Sequence, residues 1–139
     1  MGAAHWQHFE HEADIGVRGF GDTLASAFEQ AALAMSAIIT DLSLISPRQE
    51  ISISCAEAEQ ELLFADWLNA LIYEMSTRHM IFSRFAVSID KGQLRASVWG
   101  EPIDIKRHQP TVEIKGATYT ELAVYRSQQQ WVAQCVVDV

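Results

Sequence analysis

The sequence predicts an α+β fold: mostly antiparallel β-sheet structure packed against two main α-helices, in a single domain covering residues 1–139. Three observations carry this reading. Apolar residues recur at helical spacing over two stretches, about 24–39 and 57–76. Elsewhere they alternate in short runs broken by Gly, Pro and Asp, the pattern of strands and turns. A chain of 139 residues with 49% hydrophobic and 20% charged residues can bury one sizeable core and is not a disordered composition.

Taken in order, His5, His8 and His11 lie three apart, a spacing that would line one face of a helix. With Trp6 and Phe9 between them the segment reads better as a strand, which sends the histidines to alternating faces and argues against a three-histidine zinc site. Residues 15–20 alternate as a strand with close-approach glycines, and Asp22 or Thr23 can cap the helix that follows. In that helix Leu24, Phe28, Ala31, Met35 and Ile38 form one buried stripe. Ile51, Ile53 and Cys55 alternate as a short strand. The second helix opens with Glu57, Glu59 and Glu61 against its dipole, buries Phe64, Leu68, Leu71 and Met75, widened by Trp67 and Ile72, and ends before Arg78 and His79. Phe85, Val87 and Ile89, a turn at Asp90-Lys91-Gly92, then Leu94, Ala96 and Val98 make a hairpin. A loop runs from Glu101 to Gln109. Val112 with Ile114, and residues 119–125, read as two further strands. Trp131–Val139 is apolar on both faces, as a central strand is.

Charge narrows the partners. Eighteen acidic and ten basic residues give a net charge of −8, which argues against direct stable nucleic-acid binding, since that needs a basic face. Residues 1–74 hold twelve acids and two cations (−10), whereas 75–139 hold six acids and eight cations (+2). No apolar run is long enough to span a membrane and no secretory leader pattern opens the chain, so a cytoplasmic location is expected. Cys55 and Cys135 sit in apolar alternating stretches without a Cys-x-x-Cys pair and read as core.

Familiar catalytic signatures are absent. There is no nucleophile elbow, no phosphate loop and no Cys beside a His, and the glycines of 16–21 are in the wrong order for a dinucleotide fingerprint. Two acidic features remain. Glu10-His11-Glu12-Ala13-Asp14 precedes a small-residue strand and can either cap a turn or supply oxygen ligands to a hard cation. At the other end a hydrophobic strand stops on Asp138, next to the carboxylate of Val139, which pairs two anionic groups suited to chelation. A metal-dependent hydrolase would use Asp14 and Asp138 as ligands and His11 or Glu10 as base. A chaperone-like binding module with a structural metal is a further reading.

Together the segments resemble the archease family. The matching pieces are Glu10-His11-x-Ala13-Asp14-Ile15-Gly16-Val17, Gly21-Asp22-Thr23-Leu24 and Ala27-Phe28-Glu29-x-Ala31-Ala32. Further along come Glu61-Leu62-Leu63-x-x-x-Trp67-Leu68-Asn69-x-Leu71-x-Tyr73, Gly100-Glu101-x-x-Asp104-x-x-x-His108, Ile114-Lys115-x-x-Thr118-Tyr119 and Asp138-Val139. The resemblance runs in order from Glu10 to Val139. It implies a non-catalytic accessory protein of an RtcB-type RNA ligase in tRNA splicing and RNA repair, one that promotes guanylylation of the ligase and so its repeated turnover. It also implies a divalent metal, calcium, on Asp14, Asp138 and the Val139 carboxylate, which requires the 15–20 strand and the last strand to be neighbours. His11, Glu10 and Lys115 are then expected at the partner contact. The sequence departs from the family pattern at Glu12, Gly116 and Thr120, where Thr, Ala and His are usual.

Overall fold

The computed structural model describes residues 2–139. Eight strands and three α-helices follow in the order β1 (His5–His11), β2 (Asp14–Gly21), α1 (Leu24–Ile39), β3 (Gln49–Ala56), α2 (Gln60–Arg78), β4 (Met80–Asp90), β5 (Gln93–Pro102), α3 (Ile105–His108), β6 (Gly116–Ala117), β7 (Ala123–Ser127) and β8 (Gln130–Asp138), with a 3₁₀ turn at Leu42–Leu44. The strands make two antiparallel sheets. One has the order β1-β2-β8-β6 with β7 also on β8; the other has the order β3-β5-β4. The fold class is therefore the expected α+β.

Both long helices pack on the inward faces of both sheets, because each carries a stripe wide enough to meet two surfaces. Phe28 of α1 and Phe64 of α2 meet with ring centroids 5.0 Å apart. The indole of the fully buried Trp67 donates to the Phe28 carbonyl at 3.0 Å, so this large side chain leaves no polar atom orphaned. Phe28, Met35, Phe64, Leu68 and Leu71 share one core with Val17, Cys135 and Val137 of the larger sheet and Leu94 and Val98 of the smaller. Gly19 shows how closely α1 lies on β2: a Cβ there would stand 2.2 Å from the Ala27 carbonyl oxygen. Thr23 accepts from the Ser26 N–H and caps α1, so of the two candidate caps it is the threonine that serves.

Several expectations are corrected. Helix α2 starts at Gln60, so Glu57 and Glu59 precede it; Glu59 is its N-cap without a side-chain hydrogen bond, and Glu61 alone lies in the first turn. Arg78 is its last residue and His79 closes it in the left-handed conformation. The segment with Val112 and Ile114 is not a strand: alternation puts Ile114 inward, but no neighbouring strand pairs with it. The strand expected at 119–125 is β7, shifted to 123–127 behind a turn. The loop 101–109 contains the four-residue helix α3, and Glu101 belongs to β5. Cys135 is buried, its thiol pushed up to about 12 by that burial, whereas Cys55 is half-buried.

Candidate carboxylate site at the end of β2 and β8

The pairing of β2 with β8 runs from Gly21 opposite Trp131 to Ile15 opposite Val137. One step further the same antiparallel register sets Asp14 opposite Asp138. Directly opposed residues share a face, so both aspartates lie on the outward side of the sheet, away from the helices. On the same face β1 brings His11 opposite Asp14. The two ends of the chain are thus joined by sheet pairing, and Asp14 Oδ1 accepts the Val139 N–H at 3.3 Å. Asp138 is exposed, and Asp14 and Val139 are half-buried.

The expected residues divide by strand parity. His11, Asp14, Asp138 and Val139 come together. Glu10 pairs with Ile15 and so belongs to the opposite face. Lys115 adjoins the site through its backbone: its N–H donates to the Asp138 carbonyl at 2.8 Å, and Gly116 pairs with Asp138 in β6. Glu12 sits exposed at the tip of the β1–β2 turn with φ 54°, a conformation unfavourable for a Glu. Thr120 holds β8 from outside, its carbonyl accepting the Val136 N–H at 3.1 Å.

Below the carboxylates the face is closed. Phe9 covers Gly16, where a Cβ would stand 2.2 Å from its ring. Arg18 lies 4.5 Å over the Phe9 ring and donates to Gln134 at 2.7 Å and to Gln7 at 2.6 Å. This arginine is therefore engaged elsewhere. No Lys, Arg or His forms an ion pair with Asp14 or Asp138 among the described residues. Two carboxylates with no ion-pair partner among the described residues offer hard oxygen donors of the kind that suit Ca²⁺ or Mg²⁺. Among the described residues no three His, Cys, Asp or Glu side chains converge as a ligand group. The expected set contains two side chains, Asp14 and Asp138, with the Val139 carboxylate expected as its third donor.

Two features of the surroundings were not assigned a role from the sequence. Asn69 of α2 clamps β6 beside the site, accepting the Ala117 N–H at 2.9 Å and donating to the Ala117 carbonyl at 3.1 Å. Its place in the Trp67-Leu68-Asn69 run, a polar residue beside the apolar stripe, was the available signal. The other is a buried ionic hub around Glu101. Its Oε2 accepts from the Ser46 N–H at 2.8 Å, from His108 Nε2 at 2.9 Å and from the Arg107 guanidinium, while Arg48 Nε stands 3.4 Å from Oε1. Asp104 N–H donates to His108 Nδ1 at 2.8 Å, so Nδ1 is bare and Nε2 carries the hydrogen that meets Glu101. Burial raises the Glu101 pKa, but the Ser46 amide, His108 and Arg107 outweigh it and bring it from 4.5 down to about 2.

Comparison with known proteins agrees over the whole length. The profile of the archease protein family matches residues 6–139. The protein archease of Pyrococcus furiosus is 37% identical over 139 residues, covering 96% of this chain and 98% of its own. That of Thermococcus gammatolerans is 34% identical with the same coverage. The solution structure of Methanobacterium thermoautotrophicum protein 1598 superposes with a TM-score of 0.84 at 29% identity, covering 96% of this chain and 98% of that one. The crystal structure of an archease, described as a possible chaperone, from Thermotoga maritima shares the fold with a TM-score of 0.57 at 22% identity and 94% coverage of each chain. No helix of the described residues is long and apolar enough to cross a membrane. With its fold, its motifs and its full-length relatives in agreement, this chain belongs to the archease family.

Proposed function

We propose that this protein is a non-catalytic, cytoplasmic activator of an RtcB-type RNA ligase, promoting guanylylation of the ligase and its multiple turnover in tRNA splicing and RNA repair. The observation that carries the reading is the β2–β8 register, which, continued one step past Ile15 and Val137, sets Asp14 opposite Asp138, with no cation paired to either among the described residues. Asp14, Asp138 and the Val139 carboxylate would hold a divalent cation, calcium by resemblance to the family. Bound there, the cation supplies positive charge able to orient phosphate oxygens during nucleotidyl transfer.

The protein's own residues supply docking and placement. Residues 1–74 carry a balance of −10, and a ligase that grips RNA presents a basic cleft, so the encounter is steered by opposite charge. His11 stands beside Asp14 at the rim, and Lys115 adjoins Asp138, where each can meet the partner. Glu10 lies on the other face, so its share in that contact is the smaller.

The test is ligase guanylylation followed over several turnovers, with wild type and Asp14→Ala at matched ionic strength. Wild type accelerates it, the effect weakening as salt rises, while Asp14→Ala folds and fails to activate. Equal stimulation by both proteins would refute the role of the carboxylates.

A further inference from the structure

The smaller sheet turns Leu94, Ala96 and Val98 of β5 inward to the core and the alternate residues outward to water. On that outward face Arg95 stands in the central strand, directly between Ser54 of β3 and Ser88 of β4. One step along, Ser97 stands between Ser52 and Ala86. Opposed residues share a face, and all six of these line a cavity of about 560 Å³.

Strand stability does not account for this composition. A sheet surface favours β-branched and aromatic residues, whereas five of these six side chains are Ser or Ala. Their shortness leaves open space around Arg95, the one charged residue of the lining. Among the described residues Arg95 has no ion-pair partner. The four serine hydroxyls likewise have no hydrogen-bond partner there, unlike Ser43 and Ser83, whose hydroxyls donate to Asp41 and to the Ile45 carbonyl.

This donor set selects an oxyanion. A guanidinium offers N–H donors in a planar fork, and each hydroxyl can turn its hydrogen toward the same ligand. A phosphoryl group presents three strong acceptor oxygens, enough to meet the fork and the hydroxyls on both sides of it. A carboxylate presents two oxygens in one plane and would leave part of the set unused. The surrounding charge sets the size of the ligand. Arg84, which lies 4.6 Å over the Trp99 ring, is the other cation of these strands' outward rows. Glu50 opposite Trp99 and Asp90 opposite Gln93 stand at the two ends of the face, outside the lining. Acids at both ends interrupt the continuous cationic track that a nucleic-acid strand follows. A cavity of this volume falls within the range of about 300–1,000 Å³ usual for small-molecule sites.

We propose that the outward face of the smaller sheet binds the phosphoryl group of a small molecule, free phosphate or a phosphomonoester, with Arg95 as counter-charge and Ser52, Ser54, Ser88 and Ser97 as hydroxyl donors. The site is separate from Asp14 and Asp138, which belong to the larger sheet, and it stands whether or not the protein activates a ligase.

The experiment follows backbone amide chemical shifts of the nitrogen-labelled full chain during titration with sodium phosphate, phenyl phosphate or sodium chloride, all at one ionic strength. Phosphate should move the amides of Ser52, Ser54, Ser88, Arg95 and Ser97 saturably, and chloride should not. Tighter binding of phenyl phosphate than of phosphate identifies an esterified ligand; equal binding identifies phosphate itself. Arg95→Gln is expected to raise the Kd about tenfold or more, the loss of charge-assisted hydrogen bonds. Arg95→Lys keeps the charge without the fork and should fall between it and wild type. Ser54→Ala combined with Ser88→Ala should raise the Kd about fivefold. All these variants keep the wild-type melting temperature, since the three side chains are exposed. If chloride moves the same amides as far as phosphate does, or if Arg95→Gln binds phosphate within about twofold of wild type, the proposal falls. It falls equally if a single-stranded oligonucleotide moves these amides while neither phosphate nor phenyl phosphate does, because the face would then serve a polymer.

Discussion

Replacing Glu101 by Ala removes one carboxylate that ties three parts of the chain. Oε2 serves the Ser46 N–H of the loop before β3, His108 Nε2 of α3 and the Arg107 guanidinium. Arg107 and Arg48 are 46% and 66% exposed and can turn to water at little cost. Ser46 N–H and the fully buried His108 ring cannot do so as easily, and each orphaned donor costs about 1–3 kcal/mol. With a small term for the emptied volume, the variant should lose about 3–5 kcal/mol, the range found when one partner of a buried pair is removed. Glu101→Gln retains the shape and one acceptor, so about half that loss is expected. Urea unfolding read by tryptophan fluorescence and circular dichroism measures both, and an unchanged slope identifies the change as one of stability. The pH dependence follows with a definite sign. The folded carboxyl titrates at about 2 against 4.5 ordinarily, so its contribution is complete above about pH 4.5 and is lost as pH falls through about 2. Wild type should therefore lose more stability than Glu101→Gln over that interval. A cost below about 1 kcal/mol for Glu101→Ala, or parallel pH profiles, would refute the hub.

Other perturbations test separate parts of the structure. Leu68→Ala, at a fully buried position of α2, should cost about 2–5 kcal/mol in the same unfolding measurement. Gln128 and Gln129 form the two-residue β7–β8 turn with φ values of 52° and 70°; Gln128→Asn with Gln129→Gly, which suit such a turn, should add about 1–2 kcal/mol of stability. Calcium at a hundredfold excess over its Kd should stabilise wild type by about 2.7 kcal/mol, about 8 °C in Tm for a domain of this size. Asp138→Ala, or one extra residue after Val139, should abolish that shift in a thermal scan, and an undiminished shift in both would place the cation elsewhere.

The two long helices, the β4–β5 hairpin and the central β8 were legible in the sequence because their signals are local. A stripe repeating every three to four residues, or an alternation around a Lys91-Gly92 turn, is written within one segment. Alternation at Val112 and Ile114 misled for the converse reason: a strand exists only if another strand pairs with it, and the neighbours of 110–114 are the end of α1 and the last turns of α2. Glu57 and Glu59 misled because the helix dipole favours acids near an N-terminus without deciding which residue begins the helix. The chemistry divides along the same line. The sequence by itself determined which residues could bear it: the acids at 10–14 and 138, the half-chain charge asymmetry, and the resemblance in which Asp14, Asp138 and Val139 stand as ligands. Tertiary structure decided which of them meet. Sheet register joins Asp14 to Val139 across 125 positions of chain, and strand parity keeps His11 with them while sending Glu10 to the other face. It also buries Glu101 against His108 and leaves Ile105 exposed. Pairing between distant segments selects these partners through the summed burial of a whole sheet and core, a quantity no local stretch of sequence contains.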